Sequence, residues 1–294
     1  MIGSWKKMKI KKAVIPAAGF GTRMLPATKV IPKEMLPLID KPGIQYIVEE
    51  AVNSGIEDIL IITSRGKDTI CDHFDYSPEL EARLEADGRG DELEMLHNIA
   101  NMANVTFLRQ KELKGLGHAV WCARVFTGDE PFAVMLGDDV MCGDVPVLKQ
   151  LIDVSCEYEC SSVAVNQVSR EDIGKYCSLG VTPVTERVMD VHKLVEKPKP
   201  ENILSNYAIL GRYLLTRGIY DILENQKPGY GGEIQLTDGL NTLCNRERLL
   251  AVDFEGVRYD TGNLKGYLEA TIQLGINHPQ VGARLREYIK KLEL

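Results

Sequence analysis

The sequence predicts an α/β protein with a mixed, mostly parallel central sheet and helices on its faces, and three observations carry that expectation. Strand-like and helix-like segments alternate along the chain. The run PFAVML (131–136) is wholly apolar, as a strand buried on both faces must be. The run AVIPAA (13–18) is also apolar and empties directly into a glycine-containing loop.

The elements follow in order. Strand KKAVIPA leads through a long loop to a helix near 44–54 and strand DILIITS (58–64). A helix near 67–74 follows, where Ile70, His73 and Phe74 suit one buried face. Residues 78–102, with Leu80, Leu84, Leu93 and Leu96, read as one or two amphipathic helices interrupted at Gly88-Arg89-Gly90. Strand NVTFLRQ (104–110), loop KELKGLGH and a helix from 119 to about 126 precede the central strand 131–136. Beyond a helix near 147–159 the pattern turns strand-rich: SSVAVNQV, VMDVHKLVEKP, NYAILGRYLL. From Leu264 onward, Leu264, Leu268, Ile272 and Ile276 recur at helical spacing. With no internal repeat and no linker, one compact unit is expected (residues 11–277), followed by a C-terminal helical tail (278–294).

Composition narrows the class. With 294 residues, 44% hydrophobic and 26% charged, the chain has material for a large core and the balance of a soluble globular protein. A net charge of −7 excludes a general nucleic-acid footprint, so positive charge for any anionic substrate must be concentrated locally. The seven cysteines are odd in number and scattered. Cys156 and Cys160 share a helical face, but no partner pair with zinc-ligand spacing follows, and reduced thiols of a cytoplasmic enzyme are expected. Basic residues do precede the first apolar run, but that run is short and broken by Pro16, so no signal peptide and no membrane span is expected.

Residues 19–37 read GFGTRMLPATKVIPKEMLP. Glycine lets backbone N–H groups approach phosphate oxygens, while Arg23, Lys29 and Lys33 supply charge. Pro26, Pro32 and Pro37 stiffen the loop, making a cationic lip suited to a polyphosphate. It is neither G-x-G-x-x-G nor G-x-x-x-x-G-K-[ST]. At the end of the central strand stands LGDD (136–139), where open α/β sheets place ligands. Two adjacent aspartates there call for a cation, Mg²⁺ being the natural one beside phosphate, or else simply cap a turn. Asp260 in RYDTGN reads by itself as a turn or N-cap residue, and the VEKP pair Glu196-Lys197 as a solvated surface pair or as an acceptor and a cation for a ligand. Gln110 at a strand end and the glycines Gly115 and Gly117 offer an amide and exposed backbone donors and acceptors. His118 reads as a helix-start residue rather than a general base.

Residues 13–49, down to IPKEMLPLIDKPGIQYIVEE, closely resemble the sugar-nucleotide pyrophosphorylases, specifically bacterial UTP–glucose-1-phosphate uridylyltransferases, and the likeness runs from Lys12 to about Gly275 with VEKP and SNYAILGRY in family order. The resemblance implies a Rossmann-like sheet with a strand-rich sugar-binding portion and C-terminal helices. It implies UTP and α-D-glucose 1-phosphate as substrates, UDP-glucose and pyrophosphate as products, and Mg²⁺ as cofactor; the amphipathic C-terminal helix leaves room for a homodimer or homotetramer, and neither nucleic-acid nor membrane partners are expected. Catalysis falls to Arg23, Lys33, Asp138 and Lys197, and metal binding to Asp138 and Asp260. Nucleotide binding falls to Ala17, Ala18, Gly19, Gly21, Glu34, Gln110, Gly115, Gly117 and Asp139, with Glu34 close to the base. Sugar binding falls to Cys177, Gly180, Glu196 and Asn206. One departure stands out: after Tyr176 the family has Gly-Val, and this chain has Cys177-Ser178-Leu179-Gly180. The alternatives are a pyrophosphorylase using dTTP or another sugar 1-phosphate, or a catalytically silent regulatory relative.

Overall fold

The computed structural model describes residues 10–292. The basic stretch at the very N-terminus and the last two residues of the expected tail lie outside the described residues. In chain order the strands are β1 (Lys12–Pro16), β2 (Pro37–Leu38), β3 (Lys41–Pro42), β4 (Asp58–Thr63), β5 (Asn104–Arg109), β6 (Phe132–Met135), β7 (Asp139–Cys142), β8 (Ser161–Gln167), β9 (Cys177–Pro183), β10 (Val188–Glu196), β11 (Tyr207–Leu215), β12 (Leu249–Asp253) and β13 (Val257–Asp260). The helices are α1 (Gly43–Asn53), α2 (Asp68–Phe74), α3 (Pro78–Ala86), α4 (Gly90–Ala100), α5 (Leu116–Cys122), α6 (Arg124–Thr127), α7 (Val147–Tyr158), α8 (Gly218–Glu224), α9 (Leu236–Leu243), α10 (Leu264–Asn277) and α11 (Gly282–Lys291).

Nine strands form one mixed sheet in the order β5-β4-β1-β6-β11-β8-β12-β10-β9. β5, β4, β1 and β6 are mutually parallel, as are β8 and β12. β11 runs antiparallel to both β6 and β8, and β10 is antiparallel to β12 and β9. Both faces are covered, which explains why β1 and β6 read as unbroken apolar runs. Along β1 the side chains alternate. Ala13 and Ile15 enter one core layer with Ile44, Ile47 and Ile70, while Val14 enters the other with Val120, Leu236 and Leu240.

Several local expectations are met by physical detail. The segment 78–102 divides into α3 and α4 at Gly88, whose φ of +69° closes the first helix as a side-chain-bearing residue rarely can. The helix expected from 119 starts earlier, at Leu116, and breaks at Ala123 into α6. α10 forms as expected, but its Leu264, Leu268 and Ile272 face solvent, and its buried positions are Gly266, Ala270 and Gly275. α11 packs back on it, with Leu285 over Gly275. The pairing of β7 with β13, together with α9 and β12, was not foreseen. All seven cysteines are free, and no helix among the described residues is long and apolar enough to cross a membrane.

Candidate active site

The carboxyl ends of four parallel strands deliver the site. Residue Pro16 of β1 leads into the glycine lip, Thr63 of β4 toward Lys67, Arg109 of β5 into Gln110, and Met135 of β6 toward Asp138. Because β4 and β6 flank β1 on opposite sides, the connections diverge and leave a crevice. A cleft of about 600 Å³ opens there, lined by Ala18, Gly19, Gly21, Arg23, Lys33, Gln110, Gly115 and Asp138 among others. The lip itself is three single turns of 3₁₀ helix, Thr22–Met24, Ala27–Lys29 and Lys33–Met35. Gly21 enters it at φ +68°, and Thr28 Oγ1 donates to Gly21 O at 2.8 Å to close the loop.

Charge meets on the cleft floor. Lys33 Nζ stands 2.5 Å from Asp138 Oδ2, while Arg23 lies 3.7 Å from that same oxygen and 3.5 Å from Asp260 Oδ2. Asp260 is brought here by the β7–β13 pairing, which sets it directly opposite Asp139. Thr261 fixes the approach by donating from N and Oγ1 to Asp138 O, at 2.8 and 2.9 Å. A Cβ on Gly262 would stand 2.3 Å from Asp138 Oδ2 and 3.1 Å from Asp260 Oδ1, so only glycine lets the carboxylates converge. Burial opposes the charge on Asp138, but Lys33, then Arg23 and Arg258, outweigh it and hold the carboxyl below its ordinary value. Burial likewise opposes the Lys33 charge, yet Asp138 and Glu34 raise it above the usual ammonium value.

Asp139 turns the other way, as a neighbour on an extended chain must. It is 2% exposed, and its Oδ1 accepts from Arg258 Nε at 2.7 Å, with Arg258 Nη2 at 2.6 Å. Burial pushes its carboxyl up to about 6, with Arg258 pulling against and Asp138 and Asp260 adding. The expectation of a nucleotide contact from Asp139 is therefore corrected: its carboxylate is spent on Arg258, away from the cleft. Arg258 also donates to Tyr176 OH at 3.1 Å and lies 3.7 Å from Asp260 Oδ2. Behind this layer the fully buried Arg212 pairs with Glu50 at 2.6 Å and donates to Asp139 O at 2.7 Å. Sequence reasoning missed Arg258, although its position two residues before Asp260 on a strand was a signal that the two share a face.

Gln110 and Gly115 line the cleft, and three expected nucleotide contacts do not. Ala17 is buried and its N–H is taken by Ile62 O. Gly117 lies inside α5 with its N–H on Ile234 O, and a Cβ there would stand 2.8 Å from that oxygen, so this glycine serves packing. Glu34 is buried, its Oε2 accepting from Lys67 Nζ at 2.7 Å while Oε1 has no partner. Burial raises its carboxyl above the ordinary value, against Lys67 and Lys33.

The expected sugar residues gather at the far end of β9 and β10, and none of them lines this cleft. Cys177 is buried opposite Glu196, whose Oε2 accepts from Thr237 Oγ1 at 2.7 Å. Lys197 has φ +42°, an unusual backbone for a long side chain. Its N–H donates to Tyr176 O at 2.9 Å, and its Nζ lies 5.0 Å from the centre of the Tyr230 ring. Gly180 pairs with Lys193, and Asn206 is exposed just before β11. The segment SNYAILGRY is mostly the buried core strand β11.

Among the described residues no three His, Cys, Asp or Glu side chains cluster as a metal cage. The pair Asp138 and Asp260, converging over Gly262, offers hard oxygen donors in the number that suits Mg²⁺ sharing substrate phosphates and water.

Residues 12–275 match the family model described as nucleotidyl transferase. A UTP–glucose-1-phosphate uridylyltransferase of Bacillus subtilis is 50% identical over 287 residues, spanning 97% of each chain. One of Staphylococcus epidermidis is 49% identical over 286 residues, 97% of this chain and 99% of its own. Among solved structures, a UTP-bound enzyme of Acinetobacter baumannii superposes with a TM-score of 0.90 at 36% identity, covering 97% of this chain and 100% of its own. A UDP-glucose pyrophosphorylase complexed with UDP-glucose has a TM-score of 0.83 at 42% identity, with the same coverage.

Proposed function

This chain belongs to the nucleotidyl transferase family, and we propose that it makes UDP-glucose and pyrophosphate from UTP and α-D-glucose 1-phosphate. The observation that carries the reading is the meeting of Lys33, Arg23 and Asp138 in a glycine-lipped cleft, with Asp260 3.5 Å from Arg23 at its edge. Half-identity to named uridylyltransferases over nearly the whole chain supports the same substrates.

A phosphate oxygen of the sugar phosphate attacks the UTP α-phosphorus in line. The new O–P bond forms as the bond to the β-phosphate oxygen breaks, and the electron pair leaves on pyrophosphate. The nucleophile is already an anion, so the protein's tasks are alignment and charge neutralisation. The N–H groups around Gly19 and Gly21 face the triphosphate. Arg23 and Lys33 meet charge growing on the leaving group. Lys197 holds the incoming phosphate, and Glu196 accepts from sugar hydroxyls. Asp138 and Asp260 would hold Mg²⁺, which when bound neutralises the nucleotide phosphates.

In this reading residues 11–277 are the catalytic unit and 278–294 an appended tail, supported by a family match that stops at 275. The exposed Leu264, Leu268 and Ile272 support a homodimer or homotetramer, and the free cysteines support a cytoplasmic setting. Cys177 sits in the extended strand β9, where a side chain is accommodated without strain, which supports retention of glucose. The test compares kcat/KM for glucose, galactose, mannose and N-acetylglucosamine 1-phosphates on the wild type and on Lys197→Ala. Glucose should be preferred, and Lys197→Ala should raise the KM for the sugar phosphate while leaving UTP affinity nearly unchanged. A preference for another sugar would overturn the substrate assignment.

A further inference from the structure

The amide of Gln110 makes two contacts at the base end of the cleft. Its Nε2 lies 2.8 Å from His118 Nδ1 and 3.4 Å from Gly115 O. A carbonyl oxygen only accepts, so the hydrogen-bond network assigns the NH₂ corner to the side of Gly115. His118 Nδ1 must then accept. That makes the imidazole neutral with its proton on Nε2, which faces Cys122 Sγ at 3.9 Å. The ring stacks on Trp121, centroids 6.0 Å apart. Burial keeps its basicity below the ordinary imidazole value, with Lys114 adding and Glu112 opposing. Gln110 Oε1 takes no hydrogen bond among the described residues and is not sealed in the interior. Because Gln110 lines the cleft, Oε1 is the acceptor it presents there.

We propose that His118 is a positioning residue that sets the choice of pyrimidine, accepting from Gln110 Nε2 and thereby turning Gln110 Oε1 toward ring position 3 of the base. The inference rests on the uridylyltransferase reading and deepens it. Uracil carries an N–H at that position, and cytosine carries a lone pair. With Oε1 forward, uracil is bonded while cytosine sets acceptor against acceptor. An amide free to rotate loses the distinction, because its NH₂ can then meet cytosine. A site that leaves a buried polar group unpaired with the wrong substrate discriminates far better than apolar fit alone.

The experiment measures kcat/KM for UTP and CTP with glucose 1-phosphate on the wild type, His118→Leu, His118→Asn and Gln110→Ala. The ratio on each variant is independent of how much of it is folded. His118→Leu should lower the UTP-over-CTP ratio about tenfold. His118→Asn, whose Oδ1 can accept near the place of Nδ1, should keep the ratio within about twofold of wild type. Gln110→Ala should lower it at least as far as His118→Leu. A ratio that survives in His118→Leu but collapses in Gln110→Ala would overturn the role of His118. Equal loss in His118→Leu and His118→Asn would also overturn it, leaving packing alone. A ratio unmoved in Gln110→Ala would overturn the base-site reading beneath it.

Discussion

Lys33 Nζ lies 2.5 Å from Asp138 Oδ2 with both side chains largely withdrawn from water, so the free enzyme holds this carboxylate charged through a lysine that also lines the cleft. Removing one partner of such a pair strands the other. Asp138→Asn should therefore lower turnover at least ~100-fold and lower the thermal midpoint as well. Excess EDTA should abolish activity of the wild type. Full activity in either experiment would discard the metal assignment.

The same pair predicts a pH dependence. The Asp138 carboxyl lies below its ordinary value in the folded state, so its stabilisation is present above the unfolded carboxylate value and is lost as pH falls through the folded one. The stability difference between wild type and Asp138→Asn, measured by urea unfolding in EDTA, should be level above about pH 5 and shrink below about pH 4. A difference that grows on acidification would contradict the assignment.

Arg23 is 60% exposed and 3.5 to 3.7 Å from its two carboxylates, a loose contact that leaves it free to follow the substrate. Charge on the departing pyrophosphate develops only as the bond breaks. Arg23→Ala should consequently lower kcat at saturating UTP more than it raises KM. If KM alone rises, Arg23 binds ground state and transition state alike.

Gly262→Ala would set a methyl 2.3 Å from Asp138 Oδ2 and 2.8 Å from Arg23 Nη2. The carboxylates and the arginine must separate to admit it. Turnover should fall by more than tenfold, with little change in the thermal midpoint because the site is partly open to solvent. Wild-type turnover would show that convergence over Gly262 is not required.

The fold was legible where burial on both sheet faces writes unbroken apolar runs, as in β1, β4 and β6, and where Gly88 divides a helical pattern. The lip, Asp138 and Gln110 were legible because each sits at a strand's end. What escaped depends on distant pairing. The four-residue strands β7 and β13 have no periodicity of their own, and only their contact places Asp260 opposite Asp139 and hands Asp139 to Arg258. Ala17, Gly117 and Glu34 were nucleotide contacts by resemblance, yet the N–H groups of Ala17 and Gly117 are taken by Ile62 and Ile234, and Glu34 is buried with Oε2 on Lys67. No local pattern distinguishes a glycine that exposes its backbone from one that lets a loop press close.

The central claim is that this cleft joins UTP to glucose 1-phosphate, and pyrophosphate release tests it most directly. The purified protein is assayed with each of the four ribonucleoside triphosphates and with dTTP, with and without glucose 1-phosphate, in the presence of Mg²⁺. The account predicts rapid release with UTP only when glucose 1-phosphate is present, and much slower release with ATP, GTP and CTP. Release with UTP that ignores glucose 1-phosphate, a clear preference for another nucleotide, or no release from any pair would contradict it.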